Sequence, residues 1–229
     1  MTTSPRRSAN AIAKKWRSRE QDVEKCRRLL RKRSLRTVFA FYANPQLPPQ
    51  LNLKTLTGLT REMKWMLKTI SPFDVHIEPC SNSTDLKNRI LQMRPRVVIG
   101  SCHSYRGLLI LEDAKSSRGI VPENRELLDA FRNVEILILI GCDSEKVLQQ
   151  VMSPHQQGIG FSSIVEDRAA TLFAQGLISE LARQIKAKHI NAHRLFSCAV
   201  KTFTNGGFNI GDPAQDSRLH GIPVFVNLQ

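Results

Sequence analysis

The chain has 229 residues, 41% hydrophobic and 24% charged, which suits one α/β domain with a sizeable core and excludes a wholly disordered, collagen-like or low-complexity polypeptide. The net charge of +14 is concentrated: residues 1–36 hold thirteen Lys or Arg and three acids, a net +10, whereas the other 193 residues carry only +4. No apolar run approaches the roughly 20 residues of a membrane helix, and the polar start lacks the apolar stretch of a secretory signal.

Residues 1–36 therefore read as a basic, partly helical or disordered arm, and residues 37–229 as the folded domain. In the arm, Ile12, Trp16, Val23, Cys26 and Leu29 recur at helical spacing. Its charge points to an anionic partner, a nucleic acid or a membrane surface. The acid-free first nineteen residues also fit an organelle presequence; otherwise cytoplasmic or nuclear residence is expected.

From residue 37 the pattern changes. Residues 37–43 form a short apolar run with β-branched and aromatic members, a buried strand that ends at Asn44-Pro45. Apolar residues at 53, 56, 59, 63, 66, 67 and 70 predict a helix over 53–70. A strand over 73–79 follows, then a helix over 85–93 capped by Ser83 or Thr84. Strands are expected at 96–100 and 108–111, a helix at 124–131, and the clearest strand at 134–140. A helix at 144–152, a strand at 159–164, consecutive helices at 167–187 and 189–200, a Gly- and Asn-rich loop at 204–212 and a last strand at 222–226 complete the reading. Strands alternating with helices indicate βαβ units and a mostly parallel sheet with helices on both faces.

In such a sheet, reactive groups collect at the carboxyl ends of strands. Two strand ends here carry them: Arg96-Val-Val-Ile-Gly-Ser-Cys-His103 and Ile136-Leu-Ile-Leu-Ile-Gly-Cys142. An imidazole beside a thiol can take its proton and later return it to a leaving amine. Backbone N–H groups around Ser104 and Gly141 are the oxyanion candidates. Cys102 points away from His103 by strand alternation and reads as packing. The five cysteines (26, 80, 102, 142, 198) are odd in number and form no CxxC pair, which fits a reducing compartment without a disulfide framework or zinc knuckle. His189 and His193, at i and i+4, form the one metal-like spacing, and no third ligand accompanies them. No metal or other cofactor is expected. Gly158 and Gly160 read as close packing.

From about residue 37 to 203 the sequence resembles the CHAT domain family, which groups with the caspase, metacaspase, gingipain and separase-like cysteine peptidases. Phe39-Ala-Phe-Tyr-Ala-Asn-Pro45 is similar to that family's opening strand and loop, and Phe73 to Leu86 to its second strand and helix start. Arg94 to His103 resembles the segment ending in the catalytic histidine, and Gly107-Leu-Leu-Ile-Leu-Glu-Asp113 the hairpin after it. Leu137-Ile-Leu-Ile-Gly-Cys-Asp-Ser144 resembles the strand ending in the catalytic cysteine, and Val165 to Phe173 a late helix, with Ala192 to Ala199 the helix after it.

The resemblance implies a caspase-like α/β fold and a cysteine endopeptidase acting on a protein or peptide, with His103 as general base and Cys142 as nucleophile. Asp143 or Asp167 would then select a basic P1 side chain. Three positions depart from the family pattern. Ser104 stands where a Gly usually follows the histidine, and Ile99 and Cys102 replace a His and a Gly before it. A catalytically degenerate module that binds or regulates other proteins is the alternative expectation.

Overall fold

The structure is a computed structural model that describes residues 38–46, 55–72, 74–79, 82–113, 118–122 and 124–228. The arm over 1–36 lies outside these residues, as do the first residues of the helix expected from 53. Five parallel strands form most of one sheet: β1 (Val38–Tyr42), β2 (Val75–Glu78), β3 (Val97–Ser101), β7 (Ile136–Ile140) and β8 (Gln157–Phe161). A sixth strand, β9 (Pro223–Asn227), closes one edge antiparallel to β8. The order is β2-β1-β3-β7-β8-β9. A second, three-stranded sheet consists of β4 (His103–Tyr105), β5 (Leu108–Glu112) and β6 (Gly119–Ile120).

Strand alternation splits the buried side chains into two cores. Val38, Ala40 and Tyr42 of β1, with Val97, Ile99, Ile136, Ile138 and Ile140, face α1 (Leu59–Thr69), α5 (Asp167–Gln184) and α6 (Ala192–Asn205). Phe39, Phe41, Val98, Leu137 and Leu139 face α2 (Ser83–Met93), α3 (Asn124–Phe131) and α4 (Ser144–Val151). The sheet is thus covered on both faces, which explains why its central strands are apolar without alternation. Each fully buried Val, Leu, Ile or Phe stabilises the fold by about 1.5–3 kcal/mol.

Ser144, the first residue of α4, ties two strands together. Its hydroxyl donates to the Leu139 carbonyl of β7 and accepts the Phe161 N–H of β8, at 2.8 and 2.9 Å. On the other face, the buried Glu180 of α5 joins α6 through Arg194 at 2.6 Å and also pairs with Arg183 at 3.0 Å.

Three local expectations need correction. The cap of α2 is Asn82, whose side chain accepts the Asp85 N–H; Ser83 and Thr84 already lie inside the helix. The next-to-last helix does not start at 189. Asn191 caps α6 by accepting the Arg194 N–H, so His189 precedes the helix and the two histidines do not share a helix face. His193 stacks on Phe225 of β9 instead, ring centroids 4.0 Å apart. Finally, α6 runs to Asn205, so the loop expected from 204 begins two residues later.

Candidate active site

The chain passes from β1 through α1 to β2 on one side, then returns to β3 on the other side of β1. The crevice at the carboxyl ends of β1 and β3 is therefore a topological switch point, where open α/β sheets bind ligands. Tyr42, Ser101 and Ile140 occupy one register row at the ends of β1, β3 and β7. Being in phase with Val38, Val97 and Ile136, all three face α1 and α5.

Beyond Ser101, the chain crosses the sheet end at Cys102 and enters β4 at His103. The β4–β5 hairpin turns at Arg106 and Gly107, both at positive φ (51° and 78°), the type I′ geometry that matches strand twist. His103 and Ser104 are buried, while Tyr105 at the tip is exposed. The short strand β4 was not apparent from the sequence, which showed only the apolar run of β5. Cys102 packs in the opposite core, and burial pushes its thiol up to about 12, which suits a packing residue.

Beyond Ile140, Gly141 leads to Cys142, and Asp143 adopts the left-handed conformation (φ 50°) before α4 begins. A Cβ on Gly141 would run into the backbone carbonyl oxygen of Cys102. Glycine thus lets the two strand ends approach closely. The Ser104 hydroxyl bridges the same gap, donating to the Cys142 carbonyl.

His103 and Cys142 line one cleft of about 350 Å³. Ser101, Cys102, Ile140 and Gly141 contribute its strand-end wall. Leu56, Leu59 and Glu62 come from α1 and the residues before it, and Val165, Asp167 and Ala170 from the start of α5. The half-buried Cys142 sulfur receives the Val165 N–H at 3.5 Å, and the thiol lies 3.9 Å from the Val165 carbonyl oxygen. Burial raises the thiol above its ordinary range and Asp143 adds to the rise, while the Val165 N–H works against it. In this conformation the sulfur is a protonated thiol at neutral pH, in need of a base.

Asp167 lines the cleft, and its Oδ2 accepts the Thr57 and Gly58 N–H groups at 3.0 Å and the Thr57 hydroxyl. Asp143 does not line it: its carboxylate lies 3.5 Å from the Lys146 ammonium, and its N–H donates to the Ser163 carbonyl. Ser104 reaches the site through its hydroxyl bond to Cys142, and Gly141 through the cleft wall.

Sequence reasoning missed Glu62. Its side chain is buried on the core side of α1, and its Oε2 accepts the Ser101 hydroxyl at 2.6 Å. Burial drives its carboxyl up from 4.5 to about 7; Asp167 pushes the same way, and hydrogen bonds from Ser101 and Thr171 oppose. The signal was present: Glu62 sits three residues after Leu59 and four before Met66, an acid on the apolar stripe of the helix. Tyr42, under the same cluster, is buried, and burial together with the Glu62 charge holds its hydroxyl well above its ordinary value.

No family model and no curated protein matches the sequence. Among solved structures, the fold is similar to that of caspase-1 from Spodoptera frugiperda, with a TM-score of 0.52 over 85% of this chain and 87% of that one at 14% identity. The chain therefore has a caspase-like fold: a mostly parallel sheet with helices on both faces.

Proposed function

We propose that the chain is a caspase-like cysteine endopeptidase of the CHAT type, with Cys142 as nucleophile and His103 as general base. One observation carries the reading: two different strand ends bring an imidazole and a thiol into one cleft at the switch point of the sheet. The order of motifs from residue 37 to 203 supports the family assignment.

In this mechanism His103 takes the thiol proton, which the burial of Cys142 makes necessary at neutral pH. The sulfur then forms a bond to the peptide carbonyl carbon, and the carbonyl π pair moves onto oxygen. In the hairpin, the pair next to the turn is Tyr105 and Leu108, so ladder alternation turns the Ser104 N–H away from β5. That N–H, with the backbone around Gly141, is the oxyanion donor set. Serine supplies the same backbone donor as the family's glycine. His103 then protonates the departing amine, and water cleaves the thioester to release the acid and restore the thiol. Asp167, on the cleft wall, supports a preference for a basic P1 side chain.

Turnover of a diverse peptide library tests the reading. Cleavage is expected to vanish in Cys142→Ala and in His103→Ala; full cleavage by Cys142→Ala would overturn it. The Val165 contact and the raised thiol favour a second reading, a module that binds other proteins without cleaving them. It predicts no turnover on any library member. For the arm over 1–36 we propose an anionic partner, with an affinity that falls steeply with salt and disappears when the arm is deleted.

A further inference from the structure

We propose that Glu62 is the specificity-determining residue of this cleft, and that with Ser101 and Tyr42 it forms a floor that takes a guanidinium or ammonium side chain of the substrate. This deepens the peptidase reading and rests on it for the word substrate; the cation site itself does not.

Glu62 is a carboxylate only 3% exposed, yet it forms part of the cleft wall together with Cys142 and His103. Among the described residues no Lys, Arg or His pairs with it. A buried carboxylate without a cation is costly, and the cost is relieved when a cation enters. The second cleft acid, Asp167, adds negative charge, and its partners are backbone N–H groups and a hydroxyl. The cleft therefore holds two carboxylates in a protein of net charge +14.

Tyr42 is the independent observation. Its hydroxyl is buried and has no hydrogen-bond partner, and it sits close enough to Glu62 to feel that charge. A buried hydroxyl without a partner is uncommon and calls for an occupant. The Glu62 carboxylate, the Tyr42 oxygen and the Ser101 oxygen together present acceptors at one end of the cleft. A guanidinium offers five N–H donors in a planar fork and an ammonium three, and both lack acceptors. A substrate side chain seated on this floor would hold its own carbonyl towards Cys142, at the other end of the same cleft.

The test uses the 229-residue chain carrying Cys142→Ala, so that binding is read without reaction. N-acetyl-arginine methylamide is titrated at pH 8 against its citrulline counterpart, which has nearly the same shape and no charge. The arginine compound is expected to bind about tenfold tighter or more. Adding Glu62→Gln should make the two equal. Equal binding in the parent, a preference that survives Glu62→Gln, or no saturable arginine binding would overturn the proposal.

If the Gln variant does not fold, the parent is titrated from pH 8 to 6 instead. Besides Tyr42 of β1 and Ser101 of β3, the groups around Glu62 are His103 of β4, residue 142 after β7, and Asp167 and Thr171 of α5. The preference should collapse as Glu62 takes up a proton and persist in this collapse when His103→Gln is added; a flat profile would overturn the assignment. Failure of the peptidase reading is read separately. In that case a peptidyl acyloxymethyl ketone leaves Cys142 of the parent protein unlabelled while the arginine preference stands.

Discussion

Glu62 makes a quantitative prediction about stability. Its carboxyl titrates at about 7 in the folded chain, against 4.5 when solvated. Between these values the folded chain binds the extra proton, so the free energy of unfolding falls as pH rises from 4.5 to 7 and is flat beyond. A displacement of that size corresponds to about 3 kcal/mol, and because Glu62 is fully buried no discount for solvent applies. Glu62→Gln is neutral at every pH and keeps an oxygen for the Ser101 hydroxyl. The variant should match the wild-type chain near pH 4.5 and exceed it by about 3 kcal/mol at pH 8. Urea unfolding of both proteins at the two pH values measures this, because the common titrations cancel in the difference. A gap that is the same at pH 4.5 and pH 8 would refute the reasoning: Glu62 would then ionise with its ordinary value, and its burial would cost nothing.

Three further outcomes are expected. Gly141→Ala should slow peptide cleavage by about a hundredfold or more, because its Cβ drives the end of β7 from the Cys102 carbonyl and separates Cys142 from His103; wild-type kcat/KM in this variant would contradict the close-approach argument. Ser144→Ala strands the buried Phe161 N–H and should cost about 1–3 kcal/mol in urea unfolding, with unchanged stability counting against the bridge. Iodoacetamide should alkylate Cys142 slowly at pH 7, the rate rising only above the ordinary thiol range, since burial and Asp143 hold the proton on sulfur; a rate already maximal at pH 6 would mean a thiolate in the resting chain.

The layered fold was legible because its strands are short apolar runs set between amphipathic helices. The first strand over 37–43 and the strand over 134–140 coincide with β1 and β7, allowing for ends of one or two residues. His103 and Cys142 were legible for the same reason: each follows a small residue at the end of a buried run. Elements fixed by side-chain-to-backbone bonds were harder. The start of α6 is set by the Asn191 cap, and the apolar periodicity continues past it into 189–190. The antiparallel direction of β9 leaves no trace in Pro-Val-Phe-Val-Asn itself; it follows from the turn of chain before it, which pairs Gly211 with Gly221. At the site, Asp143 drew attention as the neighbour of the thiol, yet its left-handed backbone and the Lys146 ammonium go with a carboxylate outside the cleft wall. Glu62 lies 80 residues earlier, and only the folding of α1 over the ends of β1 and β3 brings it to the same cleft.

The central claim is that Cys142 is a nucleophile served by His103. The most direct test is to treat the chain with a peptidyl acyloxymethyl ketone bearing a P1 arginine and to locate the adduct among the five cysteines by mass spectrometry. The account predicts stoichiometric modification at Cys142 alone, and its loss in His103→Ala. Modification spread over the other cysteines, or an unchanged rate at Cys142 without His103, would contradict it.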